Sequence, residues 1–200
     1  MRLRNPLVGF AWRFALIYGL LILPWPGWNR CFCKGFCAIG NAVFDGNDEV
    51  RQTYFEPYRT VHGLSALDAR ITISNRWLAN RNGTVPVTVL GLDTRSVGWV
   101  PMALTVSLIA ATPLPWRRRG PALAGGVALI FAFILGSVAL YLWNESTDVL
   151  LVTLTPFWKG IADAIEYALI TQIGISFSMP VLIWMVVTFR RSDIQGMFEK

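Results

Sequence analysis

Residues 121–143 read PALAGGVALIFAFILGSVALYLW and contain no charged side chain. Hydrocarbon offers no partner to main-chain N–H and C=O groups, so a run of this length in a bilayer is helical. About 20 such residues cross a hydrocarbon core. Three further runs share this character. Residues 7–25 read LVGFAWRFALIYGLLILPW, residues 97–114 read VGWVPMALTVSLIAATPL, and residues 167–189 read YALITQIGISFSMPVLIWMVVTF. The expected fold is a membrane all-α bundle of four transmembrane helices, with a small extracytoplasmic β-containing (α+β) insertion between the first and second. Residues 149–155 form a weaker run, too short to span.

Composition agrees with that expectation. Only 15% of residues are charged, against about a quarter in soluble domains, and mean hydropathy is +0.47. Nine tryptophans suit bilayer–water interfaces, where an amphipathic ring sits half wet. The net charge of +6 would raise nucleic-acid binding in a soluble protein. Here no nucleic-acid motif accompanies the basic residues, and several sit at the edges of apolar runs. The expected partners are therefore the lipid bilayer and a membrane or envelope protein, not nucleic acid.

The first run has two readings. Arg13 interrupts it, and as an uncleaved anchor it would carry that guanidinium toward the headgroups. A basic start followed by a short apolar core also fits a signal peptide. The bulky sequence Pro24-Trp25-Pro26-Gly27-Trp28 offers no small-residue cleavage site, which favours the anchor. In the second run Pro101 is tolerable near the helix start, while Pro113 and Pro115 close it. Pro180 lies inside the fourth run, where a kink is expected.

Basic short loops stay cytoplasmic. Arg2 and Arg4 precede the first run, Arg117, Arg118 and Arg119 sit in the short link 116–120, and Arg190 and Arg191 follow the fourth run. The link between the third and fourth runs holds Lys159 against Glu145, Asp148, Asp163 and Glu166. Four spans in a cell (plasma or inner) membrane then place both termini and the Arg triplet inside, and the acidic link outside. The segment 26–96 is too long for its charge to orient it.

That segment is expected to have two parts. Residues 28–44, WNRCFCKGFCAIGNAVF, fit an amphipathic helix or a membrane-hugging segment, with Gly40-Asn41 and Asp45-Gly46-Asn47 as terminators. Residues 52–94 look β-rich. In 69–77, ARITISNRW, Ile71 and Ile73 share one face while Arg70, Thr72 and Ser74 share the other, as in a half-buried strand. Asn80-Arg81-Asn82-Gly83 signals a turn. The return strand would be 85–92, held at an edge or a strand start by Pro86, with 52–60 as a third strand.

Few residues suggest chemistry. Cys31, Cys33 and Cys37 are the only cysteines, and His62 is the only histidine. Their spacing lacks the paired elements of a zinc site, so no metal and no cofactor are expected. A Cys33–Cys37 or Cys31–Cys37 disulfide, packed thiols, and an activated nucleophile are three competing roles. In the last, Arg30 and Lys34 would supply cations and His62 a base. Lys159, Asp163 and Glu166 fall at i, i+4 and i+7, one face of a helix starting at Thr155-Pro156. They form either an acidic outer patch for a cation or proton, or a solvated face. Asn82-Gly83-Thr84 and Asn144-Glu145-Ser146 match the glycosylation pattern.

The expected function is a non-enzymatic membrane subunit or accessory, scaffold-type factor whose outer insertion engages a partner. The alternatives are a membrane-embedded enzyme with sortase-like thiol chemistry and a small-solute carrier. The near-absence of ionisable residues inside the apolar runs weighs against the carrier.

Overall fold

The computed structural model describes residues 6–44, 51–58, 67–75, 77, 85–146, 155–167 and 173–189. In chain order the elements are α1 (Pro6–Ile22), α2 (Trp28–Phe44), β1 (Arg51–Pro57), β2 (Ala69–Asn75), β3 (Val87–Leu92), a π-helical turn (Arg95–Trp99), α3 (Val100–Ala111), α4 (Trp116–Glu145), α5 (Pro156–Glu166) and α6 (Ile173–Thr188). The chain is mostly helical with one small antiparallel sheet. The terminal bases Arg2, Arg4, Arg190 and Arg191, the 45–47 terminator, His62, the 80–83 turn with Asn82-Gly83-Thr84, Asp148 and residues 149–154 lie outside the described residues.

Each of the four apolar runs contains a helix, but the helix lengths differ from expectation. Among the described residues only α4, with 30 residues, is long and apolar enough to cross a membrane on length and composition. α1 has 17 residues, α3 has 12 and α6 has 16. On this criterion the structure supports one span rather than four. Proline sets two of the limits. α1 stops at Ile22, just before Leu23-Pro24, and α3 stops at Ala111, just before Pro113, because the residue preceding a proline is pushed out of the helical region.

α4 also starts earlier than expected. The Arg triplet is not a loop but the first turn of this helix: the Pro115 carbonyl accepts the main-chain N–H of Arg118 (2.9 Å) and of Arg119 (3.0 Å). Pro121 follows within the helix. Its missing N–H removes one hydrogen bond, the one to the Arg117 carbonyl, so the helix continues.

The chain divides into two compact units. The first comprises Met1–Leu23, Val100–Ile134 and Ile173–Lys200. Within it α3 packs against both α1 and α6. Pro101, Ala103, Leu104, Thr105, Ser107, Leu108, Ile109 and Ala111 are all buried, so this helix is enclosed nearly all round. Gly126 of α4 lets the Ile109 side chain approach, since a Cβ there would clash with the Ile109 Cδ1 methyl. Trp184 of α6 donates its indole N–H to Thr112 Oγ1 (2.8 Å) and lies 6.0 Å from the Phe10 ring of α1.

Along α1 and α6 the outward surface of this unit is mostly apolar, with Arg13 exposed on it. Leu7, Val8, Trp12, Leu16 and Leu20 are exposed along α1, and Phe177, Val181, Leu182, Met185 and Val186 along α6, with Trp12 at 70% and Val186 at 73%. Its buried polar residues among those described, Thr105, Ser107 and Thr188, bond inside their own helices. Thr105 donates to the Pro101 carbonyl (2.9 Å), Ser107 to Ala103 (2.6 Å) and Thr188 to Trp184 (2.6 Å).

The second unit comprises Pro24–Trp99 and Leu135–Gln172. Its sheet has the order β1-β2-β3, antiparallel throughout, with Phe55 opposite Ile71 and Ile71 opposite Leu90. Alternation in β2 buries Ala69, Ile71, Ile73 and Asn75 while Arg70, Thr72 and Ser74 are half-buried. Thr53, Phe55, Leu90 and Leu92 join the buried face. β3 starts just after Pro86, at an edge, where a missing N–H is tolerated.

α2 packs on β1 and buries Cys33, Phe36, Cys37 and Gly40, the i, i+3, i+4, i+7 stripe of an amphipathic helix. Gly40-Asn41 does not end α2, which runs on to Phe44. Tertiary packing overrides the local signal. A Cβ at Gly40 would lie 2.8 Å from the Phe55 ring. The Asn41 amide pairs with the open side of β1, its Oδ1 accepting Phe55 N–H (2.7 Å) and its Nδ2 donating to Phe55 C=O (2.9 Å). One side chain thus covers an edge that would otherwise present unpaired groups.

Candidate functional site

The start of α2 and the ends of the strands enclose an open pocket of about 560 Å³, lined by Asn29, Arg30, Cys33, Lys34, Pro57, Tyr58 and Asp68. Helical spacing puts Arg30 and Lys34 one turn apart on α2. Both are exposed, and no acid lies within ion-pair distance of either among the described residues. A second recess, formed by Trp25, Gly27, Asn29 and Arg30, opens at the same first turn of α2. Gly27 turns the chain into this helix at φ +82°, a conformation glycine adopts without strain.

Asp68 fixes the pocket wall. Its carboxylate accepts the Thr94 N–H at Oδ1 (2.8 Å) and the Thr94 hydroxyl at Oδ2 (2.7 Å). Its main-chain carbonyl accepts Tyr58 N–H (2.8 Å) and the Cys33 thiol (3.1 Å), and its N–H donates to Leu92 C=O (3.1 Å). One residue therefore ties α2, the end of β1, the end of β3 and the start of the next helix. Asp93 caps that helix, accepting Arg95 N–H (3.1 Å) and the Ser96 hydroxyl (2.5 Å). On the other sheet face Arg70 pairs with Glu56 (3.4 Å) and stacks over the Tyr58 ring at 4.2 Å.

The three cysteines are free. Cys31 is exposed and does not line the pocket; Cys33 and Cys37 are buried. Burial pushes the Cys33 thiol up, and the neighbouring Asp68 charge adds to this. Burial, with the adjacent Cys33, pushes Cys37 up to about 12. Both thiols hold their protons at neutral pH, so neither is the thiolate that nucleophilic chemistry needs. Of the residues considered for that chemistry, the structure brings Arg30, Lys34 and Cys33 to one pocket. Among the described residues no three His, Cys, Asp or Glu side chains meet in a metal-holding group.

The Lys159–Asp163–Glu166 stripe falls on α5. Thr155 occupies the N-cap position with extended backbone and Pro156 follows, but the Thr155 hydroxyl makes no capping bond. Lys159 and Asp163 are exposed. Asp163 accepts the Asn144 amide N–H (3.0 Å) at the end of α4. The Glu166 side chain is outside the described residues. The contact with Asn144 engages Asp163 locally.

Asn29, Tyr58 and Asp68 carry no signal in the sequence that marks them for this pocket. Asp68 and Thr94 are 26 residues apart, so no local motif marks their pairing. Arg30 and Lys34 were visible from their spacing. As a binding element, the site offers a guanidinium, an ammonium, an amide and a phenol around an open volume, together with the Asp68 carboxylate, whose two oxygens are engaged by Thr94. The exposed Arg30 and Lys34 suit an anionic group. No protein-family model matches this chain, and no curated protein or solved structure matches it either.

Proposed function

We propose that the chain is a multi-pass membrane protein of a cell membrane, with four spans and both termini cytoplasmic. It acts as a non-enzymatic accessory or scaffold subunit whose 26–96 insertion faces outward and engages an anionic segment of a membrane or envelope partner at Arg30 and Lys34. The carrying observation is the inverted partition of the first unit. Apolar side chains face out along α1 and α6, while the buried hydroxyls bond within their own helices. That is how helices satisfy polar groups where the surroundings offer no water.

Further support comes from charge. The rule that keeps basic short loops inside puts 26–96 and 144–166 on the same side, and these two separate stretches belong to one compact unit. The shorter helices remain compatible with spanning. α1 and α6, with 17 and 16 residues, reach about 24–26 Å at 1.5 Å per residue. α3 alone reaches about 18 Å and needs the preceding π-helical turn, in the continuous stretch Arg95–Ala111, with local bilayer thinning accommodating the shortfall at modest cost.

Reporter fusions at residues 60, 118 and 150 test the topology. A periplasmic-type signal at 60 and 150 with a cytoplasmic one at 118 is expected, and a cytoplasmic signal at 60 overturns it. The thiol-enzyme alternative keeps one observation, that Cys33 lines the pocket beside Arg30. Labelling of intact cells with an impermeant maleimide separates the two. The scaffold requires Cys31 to label and Cys33 to stay unreactive; fast labelling of Cys33 that slows in His62→Ala supports the enzyme.

A further inference from the structure

We infer that the first unit holds a binding site for the head group of an anionic phospholipid, at the start of α4 beside the end of α6. A pocket of about 260 Å³ there combines the guanidinium-bearing Arg117 and Arg118 with apolar walls from Leu114, Pro121, Ala122 and Val187. The two halves of that lining match the two halves of a lipid. Arg forks recognise phosphate oxygens in a planar, bidentate way that a lysine point charge does not. The apolar residues suit the glycerol and first acyl carbons, which a free phosphate lacks.

The surroundings favour the same ligand. Arg117 has no ion-pair partner among the described residues. The first-turn N–H groups of α4 add positive potential at the same end. Trp116 is 82% exposed and Phe189 40%, an arrangement typical of aromatic residues at the headgroup level. Arg119 stacks over the Trp116 ring at 4.8 Å and donates to the Thr112 carbonyl (3.3 Å), which braces the turn carrying Arg117 and Arg118. In sequence, Arg190 and Arg191 continue from the end of α6. Basic pockets between helices on the cytoplasmic side are where anionic head groups dock. The inference rests on the membrane placement proposed above.

The test uses the full chain in a neutral detergent, with lipid adducts counted by native mass spectrometry. Phosphatidylglycerol, phosphatidylcholine and inorganic phosphate are each titrated. Phosphatidylglycerol should bind in preference to phosphatidylcholine. In R117Q/R118Q its affinity should fall about thirty-fold, roughly five-fold per guanidinium. R70Q/R95Q removes the same charge from the other unit, away from any site proposed for binding, and should leave the affinity unchanged. R117K/R118K preserves charge and fold and should fall between wild type and R117Q/R118Q.

Equal binding of phosphatidylglycerol and phosphatidylcholine overturns the site, as does an equal loss in R70Q/R95Q. Inorganic phosphate saturating at the same concentration overturns the lipid as its ligand. Alkaline carbonate extraction of the same membranes reads the membrane placement separately. A chain that stays in the pellet without a lipid preference loses only the head-group site; a chain released into the supernatant loses the placement itself.

Discussion

In the unit built from α1, α3, α6 and the first part of α4, leucines, valines and tryptophans point outward, and threonine and serine are packed inside. In the unit built on the sheet, Phe55, Ile71, Ile73 and Leu92 point inward, and Gln52, Arg30, Lys34 and Arg70 lie at or near the surface. Both units obey the same rule, that apolar surface avoids water and buried polar groups find partners. They differ in which surroundings each is built for. The sheet unit is organised around a buried apolar face, although Val43, Val87, Val89 and Phe157 of this unit stay exposed. The helical unit bonds its buried hydroxyls within single helices and joins Trp184 of α6 to Thr112 beyond α3; in the function proposed above, its apolar surface meets lipid.

The largest effect that separates them comes from removing a core ring. Phe55 is 1% exposed and stacks on Phe44 at 5.9 Å. Phe55→Ala should destabilise the sheet unit by about 3–5 kcal/mol, read as its early proteolysis and loss of cooperative unfolding. Leu16→Ala, on the exposed stripe of α1, should leave chemical denaturation nearly unchanged. If both truncations cost the same, the contrast between the two surfaces is not real.

A charge placed outside is the sharper probe. Leu16→Asp should impair insertion by about 2.5–3.5 kcal/mol if its position is near mid-bilayer. Tyr54→Asp, on the exposed face of β1, should stay within about 0.5 kcal/mol. The ratio of membrane-inserted to soluble chain measures the first, and urea unfolding the second. A silent Leu16→Asp breaks the comparison, because it would show α1 facing water.

Much of this architecture was readable from spacing alone. The period-2 pattern of Ile71 and Ile73 set β2, and the stripe of Cys33, Phe36, Cys37 and Gly40 follows from a helix over 28–44. What could not be read is the set of contacts between distant residues. Gly and Asn weaken a helix locally, so Gly40-Asn41 looked like its end. Each is retained because Phe55, reached only through the fold, needs a glycine against its ring and an amide against its main chain. The pocket was half legible for the same reason: Arg30 and Lys34 announce themselves on one helix, while Asp68 acquires its role through Thr94 and Cys33. Length was the least legible feature. Hydropathy marked four runs, but the prolines at 24 and 113 stop the first two helices before the apolar sequence ends.

Asn41 gives an intermediate effect. Asn41→Ala strips the partners from one N–H and one C=O of a part-buried strand, and about 1–3 kcal/mol is expected. Asn41→Asp keeps the acceptor for Phe55 N–H and loses the donor to its carbonyl, so it should recover part of that loss. Hydrogen exchange at the Phe55 amide checks this: protection should drop in Asn41→Ala and persist in Asn41→Asp. Equal exchange in all three proteins would mean that β1 is covered by something other than Asn41.

The smallest effect is invisible at neutral pH and belongs to the thiols of the sheet unit. Cys37 titrates near 12 when folded against an ordinary value of 9.0, and Cys33 is raised in the same direction. The folded state therefore holds its protons more tightly than the unfolded chain. Below pH 9 both states are protonated and the thiols make stability independent of pH. Between pH 9 and about 12 the unfolded thiol ionises while the folded one does not, so stability falls as pH rises. Denaturation midpoints at pH 7, 9 and 10.5 should thus decline for the wild type. Lysines and tyrosines titrate in the same range, so the informative quantity is the difference from Cys37→Ala. That variant should start lower at pH 7, from the lost packing, and then decline less steeply. Parallel slopes would mean that Cys37 is hydrated in solution, and that the buried face of α2 is open enough for a thiolate to form.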